Sequence, residues 1–137
     1  MHMKVAFVLI IAFFVSGCTQ KSVGICHVSP IQDVSIDSEL TPEQKEFFAK
    51  NYLPCKQRNK KKDPDALFNV GMAVLYGLGT EKAPYKAFLW FKGAADKNHR
   101  GAQRVLAQMF SQGVGTFRDV LIAKKYEDAS RVGISLD

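Results

Sequence analysis

Catalytic signatures are what this sequence has least of. It contains no P-loop, no dinucleotide fingerprint and no glycine-serine-glycine elbow, which removes the usual marks of phosphate binding, nicotinamide cofactors and serine hydrolysis. Histidine is scarce, and His2, His27 and His99 stand in no spacing typical of metal ligands, so neither a metal nor another cofactor is expected. Cysteine is confined to Cys18, Cys26 and Cys55, and no histidine and acid are placed to turn one of them into a nucleophile. Adjacent acids such as Glu127 and Asp128 diverge on a helix and cannot share a substrate. The expectation is a protein that is not an enzyme.

Acidic residues are also in deficit, 13 against 19 basic ones, for a formal charge of +6. The excess is local: "KQRNKKKD" at 56–63 holds five basic residues and one acid. No aromatic residue interleaves with these lysines, as a single-strand binding surface requires, so the stretch reads as a solvated basic loop and nucleic acid is not an expected partner. With 137 residues, 47% of them apolar, the chain can build one core and not two.

Long apolar runs are nearly absent too. "VAFVLIIAFFV" at 5–15 falls well short of the roughly 20 residues that span a bilayer, and it has the length of a signal-peptide core behind Lys4. Val15, Ser16, Gly17 and Cys18 then resemble the bacterial lipobox, an aliphatic residue and two small ones before a cysteine. The resemblance implies a signal peptide over 1–17 and a lipid attached at Cys18. Several acyl chains, at about 0.8 kcal/mol per buried methylene, anchor such a chain firmly to a membrane. Thr19, rather than an aspartate, implies the outer membrane of the cell envelope, facing the periplasm. If Cys18 carries lipid, Cys26 and Cys55 remain as an even pair in an oxidising compartment. A disulfide there would close a loop of about 30 residues and contribute on the order of 3 to 4 kcal/mol. Two separate buried thiols are the competing reading.

Residues 18–40 are polar and β-branched with no helical period, and they read as a tether. A helical domain follows over 41–137. "TPEQKEFFAKNY" (41–52) opens it with Thr41 as cap, Pro42 at the first helical position and Gln44 completing a capping box, and Pro54 is expected to end that helix.

The carboxy-terminal half repeats itself every 36 residues. Ala66 pairs with Ala102, Gly77 with Gly113, Gly79 with Gly115, Thr80 with Thr116 and Ala87 with Ala123. Val70 and Leu106, Gly71 and Ala107, Val74 and Phe110, and Trp90 and Tyr126 are similar pairs in the same register. Each unit, about 63–98 and 99–133, reads as helix, glycine turn, helix. Ala87, Trp90, Phe91 and Ala94 are expected on the inward face; small residues at Gly71, Ala87, Ala94 and Ala95 would let the two helices approach closely, with the aromatics filling what remains and Trp90 as the core of the first unit.

These residues resemble the Sel1-like repeats, a tetratricopeptide-type family. Ala66, Gly71, Gly77, Gly79, Lys86, Ala87, Trp90, Ala94 and Ala95 carry the resemblance in the first unit, and Ala102, Leu106, Gly113, Gly115, Asp119 and Ala123 in the second. Ala83 departs from the pattern where the family has a turn aspartate. The resemblance implies an all-α fold: a short α-solenoid of two helix-turn-helix repeats, here with the helix at 41–52 as a third, capping layer.

Leu67, Phe68, Leu75, Phe88 and Leu89 are apolar at positions the family leaves free. Either the segment around Phe47, Phe48, Tyr52 and Leu53 packs over them, or they form a patch that binds a partner. The function implied is binding of another protein by a membrane-anchored, periplasmic module. Two roles compete, an envelope adaptor or assembly factor, and an immunity lipoprotein that neutralises an incoming toxin such as a secreted lipase. β-Lactam-hydrolysing members of the family carry a cysteine pair in each repeat, which this chain lacks beyond Cys55.

Overall fold

The computed structural model describes Cys26, residues 35–58 and residues 63–136. Residues 1–17 and Cys18, expected to be signal and lipid site, lie outside the described residues. Five helices and no strand occur among the described residues: α1 (Pro42–Arg58), α2 (Pro64–Tyr76), α3 (Pro84–Ala95), α4 (Arg100–Gln112) and α5 (Val120–Val132). Each packs on the next in chain order, as in a helical solenoid.

The helix starts follow from local chemistry. At α1, the Thr41 N–H donates to Gln44 Oε1 at 2.8 Å and the Gln44 N–H to Thr41 Oγ1 at 3.3 Å, a reciprocal capping box. Proline occupies the first position of α1, α2 and α3, where its missing N–H costs nothing. Asp63 caps α2 and, 36 residues on, His99 caps α4. The glycine turns obey the same shift. Gly77 and Gly113 close α2 and α4 in left-handed backbone, at φ 70° and 73°, which a side chain would strain. Past them the Ala83 N–H donates to the Val74 carbonyl at 3.0 Å and the Asp119 N–H to that of Phe110 at 2.8 Å.

Packing explains the small residues. A β-carbon on Gly71 would lie 2.7 Å from the Phe91 ring, so α2 and α3 close by seating that ring against bare backbone. Phe68, Phe91, Met72, Leu106 and Met109 are fully buried, and Phe68 meets Phe91 at a ring separation of 5.7 Å. Of the two aromatic residues expected on the inward face, Trp90 is the one corrected. Phe91, its neighbour, fills the centre of the first unit, and Trp90 is only partly buried beside the core.

α1 serves the first repeat as α3 serves the second. A β-carbon on Gly79 would meet the Ala49 carbonyl of α1 at 2.6 Å, and the equivalent Gly115 abuts the Pro84 carbonyl of α3. Pro54 does not end α1, which runs on to Arg58. The proline forfeits one hydrogen bond, yet the turn beyond it is held from outside, because Tyr52 and Cys55 are buried and Cys55 is at disulfide distance from Cys26.

The expected tether over 18–40 is, in its described part, a strap on the domain. The buried Cys26 offers its carbonyl to Asn69 Nδ2 of α2 at 3.1 Å. Ile36 donates its N–H to Gln108 Oε1 of α4 at 2.6 Å, Asp37 accepts from Gln112 Nε2 at 2.5 Å, and Leu40 is buried. The strap thus crosses the first helices of both repeats.

The far end of the second unit is polar. Arg104, Gln108, Ser111, Glu127 and Arg131 line a shallow cavity of about 480 Å³ there. The same positions in the first unit are Phe68, Met72, Leu75, Phe91 and Ala95, all buried. Polar substitution is what an outer face in contact with water requires.

Candidate functional site

Of the five residues singled out as a binding patch, Leu67, Phe68 and Leu75 are buried and Phe88 is partly buried against the core. Leu89 alone is open, at 50% exposure. Phe48 and Tyr52 of α1 are buried, Phe47 is partly so, and Leu53 turns outward. The five therefore do not form one surface patch, because α1 and the core take up most of them.

Leu89 belongs instead to a groove of about 600 Å³ between α1 and α3. Its floor is Leu67 and Val74 of α2, and Leu89, Trp90 and Lys86 of α3 form one wall. Tyr52 and Lys56 of α1 form the other, and the turn residues Thr80, Glu81 and Ala83 close one end. Lys56 Nζ donates to Tyr52 Oη at 3.1 Å and stands 5.3 Å from the centre of the same ring. The hydrogen bond with Thr80, reinforced by Lys56, holds the Tyr52 phenol below its ordinary range. The wall of α1 is thus a polar, cation-bearing edge over an apolar floor.

Between α3 and α5 the corresponding space is filled. Phe110 stands where the first unit has Val74, and its ring meets Phe88, Phe117 and Tyr126 at 5.5, 5.8 and 5.7 Å. Phe117 replaces Glu81, Tyr126 replaces Trp90, and Phe88 takes the place of Tyr52 under the same 36-residue shift. Reading Val74 against Phe110 and Glu81 against Phe117 is the signal that locates the groove; Tyr52 and Lys56 as a pair, and Thr80, were not singled out from the sequence as site residues.

His99 joins α2 to α4. Its Nδ1 accepts the Ala102 N–H at 3.0 Å, its Nε2 lies 3.2 Å from Asp65 Oδ1, and its ring stacks on Phe68 at 4.5 Å. Burial pushes its pKa down, against the opposing pull of the Asp65 and Asp63 carboxylates. With Nδ1 occupied as an acceptor, the imidazole is built in as a neutral cap rather than a proton shuttle. Among the described residues no group of three or more histidine, cysteine, aspartate or glutamate side chains could hold a metal. None of the described helices is long and apolar enough to cross a membrane.

Cys26 and Cys55 are at disulfide distance, with Cα atoms 5.4 Å apart and a sequence separation of 29. A second exposed apolar group, Phe117, Val120 and Leu121, lies at the start of α5, where Leu121 is 73% exposed.

The family model for the Sel1 repeat matches residues 64–99, the first helix-turn-helix unit, and 101–126, the second as far as the middle of α5. These are two Sel1 repeats. Sel1 repeats indicate a protein-interaction module, and members of the family are in general non-catalytic scaffolds. No curated protein and no solved structure matches it.

Proposed function

We propose that this Sel1-repeat chain is a lipid-anchored module of the bacterial envelope that holds an exported partner protein at the membrane. The observation that carries the binding reading is the groove between α1 and α3, left open where the second repeat closes the equivalent space with Phe110. A helical array with an unfilled groove suits recognition rather than chemistry. Support for the anchor comes from the sequence, Val15 to Cys18 behind an apolar segment. Attachment at Cys18 would raise the local concentration of the module for partners at the same surface.

The test has two parts. Cys18→Ala is expected to move the protein out of the membrane fraction and abolish its labelling by radioactive palmitate; retention of both discards the anchor. A photo-reactive residue placed in turn at Leu89 and at Leu121 is expected to give a discrete protein adduct in living cells. An adduct with a protein of the same cell makes the chain an adaptor. An adduct with an incoming toxin makes it an immunity protein, and no adduct from either position overturns the interaction role.

A further inference from the structure

The groove between α1 and α3 has a charge pattern as well as a shape. Its floor and far wall are apolar, with Leu67 and Val74 beneath and Leu89 and Trp90 beside. Its rim carries two ammonium groups, Lys56 and Lys86, against one carboxylate, Glu81. A volume of about 600 Å³ falls within the range of sites that enclose a compact ligand, so one large side chain with its flanking backbone fits. Apolar surface holds such a side chain, and cations at the edge attract and orient acids beside it.

From this juxtaposition we infer that the groove takes an acidic peptide segment bearing one large apolar side chain. The inference rests on the protein-binding reading above and adds the chemistry of the partner. The apolar side chain lies over Leu67 and Val74 against Trp90, and the flanking carboxylates meet Lys86 on one wall and Lys56 on the other. Binding an acid at Lys56 competes with its hydrogen bond to Tyr52. Glu81, at the closed end, disfavours a second acid there and so gives the segment a direction.

Trp90 is the sole tryptophan of the chain, so its emission reports on this wall without a label. The experiment is selection of a phage-displayed random peptide library on the full, disulfide-bonded chain in detergent micelles. Winners are then resynthesised without tryptophan and titrated while the Trp90 emission is recorded. Enriched peptides are expected to place aspartate or glutamate beside phenylalanine, leucine or isoleucine, and to shift that emission. Their affinity should fall at least roughly tenfold in Lys86→Glu, an exposed site where folding is undisturbed, and severalfold when salt is raised to about 0.5 M. Val74→Phe, which copies the filled second gap, should abolish the titration. Basic or uncharged winners overturn the inference, as do peptides that bind Lys86→Glu undiminished or leave Trp90 unmoved. A library yielding nothing overturns it as well, and so does a Trp90 response confined to anionic phosphatidylglycerol vesicles. A photo-adduct at Leu121 with none at Leu89 would sink the groove alone and leave the interaction role standing.

Discussion

Between α1 and α3 the array is open; between α3 and α5, over the matching stretch of α4, aromatic rings shut it. The two spaces are built on one plan, with the same 36-residue shift, the same glycine turns and the same backbone bonds from Ala83 to Val74 and from Asp119 to Phe110. What adds bulk to the second is two rings: Phe110 and Phe117 stand where the first space has Val74 and Glu81, and they pack with Phe88 and Tyr126, whose counterparts Tyr52 and Trp90 are no smaller. A repeat scaffold can therefore make or erase a binding cleft without altering its backbone, because each gap is decided by side chains that the helix pattern does not constrain.

The sharpest way to break that contrast is to truncate the two floors. Phe110→Ala is expected to cost about 3 to 5 kcal/mol, since it empties the centre of a packed cluster. Val74→Ala should cost only about 1 to 2 kcal/mol, two methyl groups beside space already open. Urea denaturation of both variants checks this, and equal losses would mean that the first gap is closed in solution.

Next in size is the bond that only the first repeat's flank possesses. Reducing Cys26–Cys55, or replacing both by serine, is expected to cost about 3 to 4 kcal/mol for a loop of this length. Hydrogen exchange should rise first in α1 and leave α5 as it was; uniform loosening would show that α1 is no separate layer.

A smaller test concerns the caps before α3 and α5. Asp119 accepts the Leu121 and Ile122 N–H groups at 2.9 and 3.0 Å, and Ala83, in nearly the same backbone conformation, accepts none. Asp119→Ala should cost about 1 kcal/mol, and Ala83→Asp should return a similar gain to the first unit, both read from thermal midpoints.

The least effect is a pH dependence confined to the joint between the repeats. Burial lowers the folded-state pKa of His99, so the unfolded chain binds the proton more readily. The stability that the neutral cap contributes is present in full above the ordinary histidine value and is lost as pH falls through the lowered one. His99→Asn keeps an acceptor for the Ala102 N–H and removes the proton site. Its stability should vary less than the parent's between pH 7 and pH 5, and parallel curves would discard the neutral-cap assignment.

Much of the fold could be read from residues because it depends on near neighbours. The Thr41 and Gln44 box, the prolines that open helices and the paired glycine turns all act within a few positions, and the 36-residue echo joins them into units. Pro54 misled because a helix interior was held together by distant partners, Cys26 and the core around Tyr52. Trp90 and Phe91 are neighbours that both fit an inward stripe. Only the bare backbone of Gly71, waiting opposite one of them, decides which ring goes in. The strap stayed hidden for another reason: it has no period, and it is held by isolated bonds to Asn69, Gln108 and Gln112. The groove is a matter of what facing positions lack, which a single unit does not reveal but comparison of the two does.

The link between Cys26 and Cys55 has a mechanical side. Joined by a covalent bond, the two ends of that loop become one point as far as tension is concerned. A pull arriving from the chain ahead of Cys26 passes straight to the last turns of α1 and bypasses residues 27–54, so the strap beyond Cys26 carries none of the load. Were the chain held at a membrane and tugged by a bound partner, the bonds at Gln108 and Gln112 would stay slack. The helical array would be loaded at α1, beside the groove, instead of being peeled from its first strand of chain.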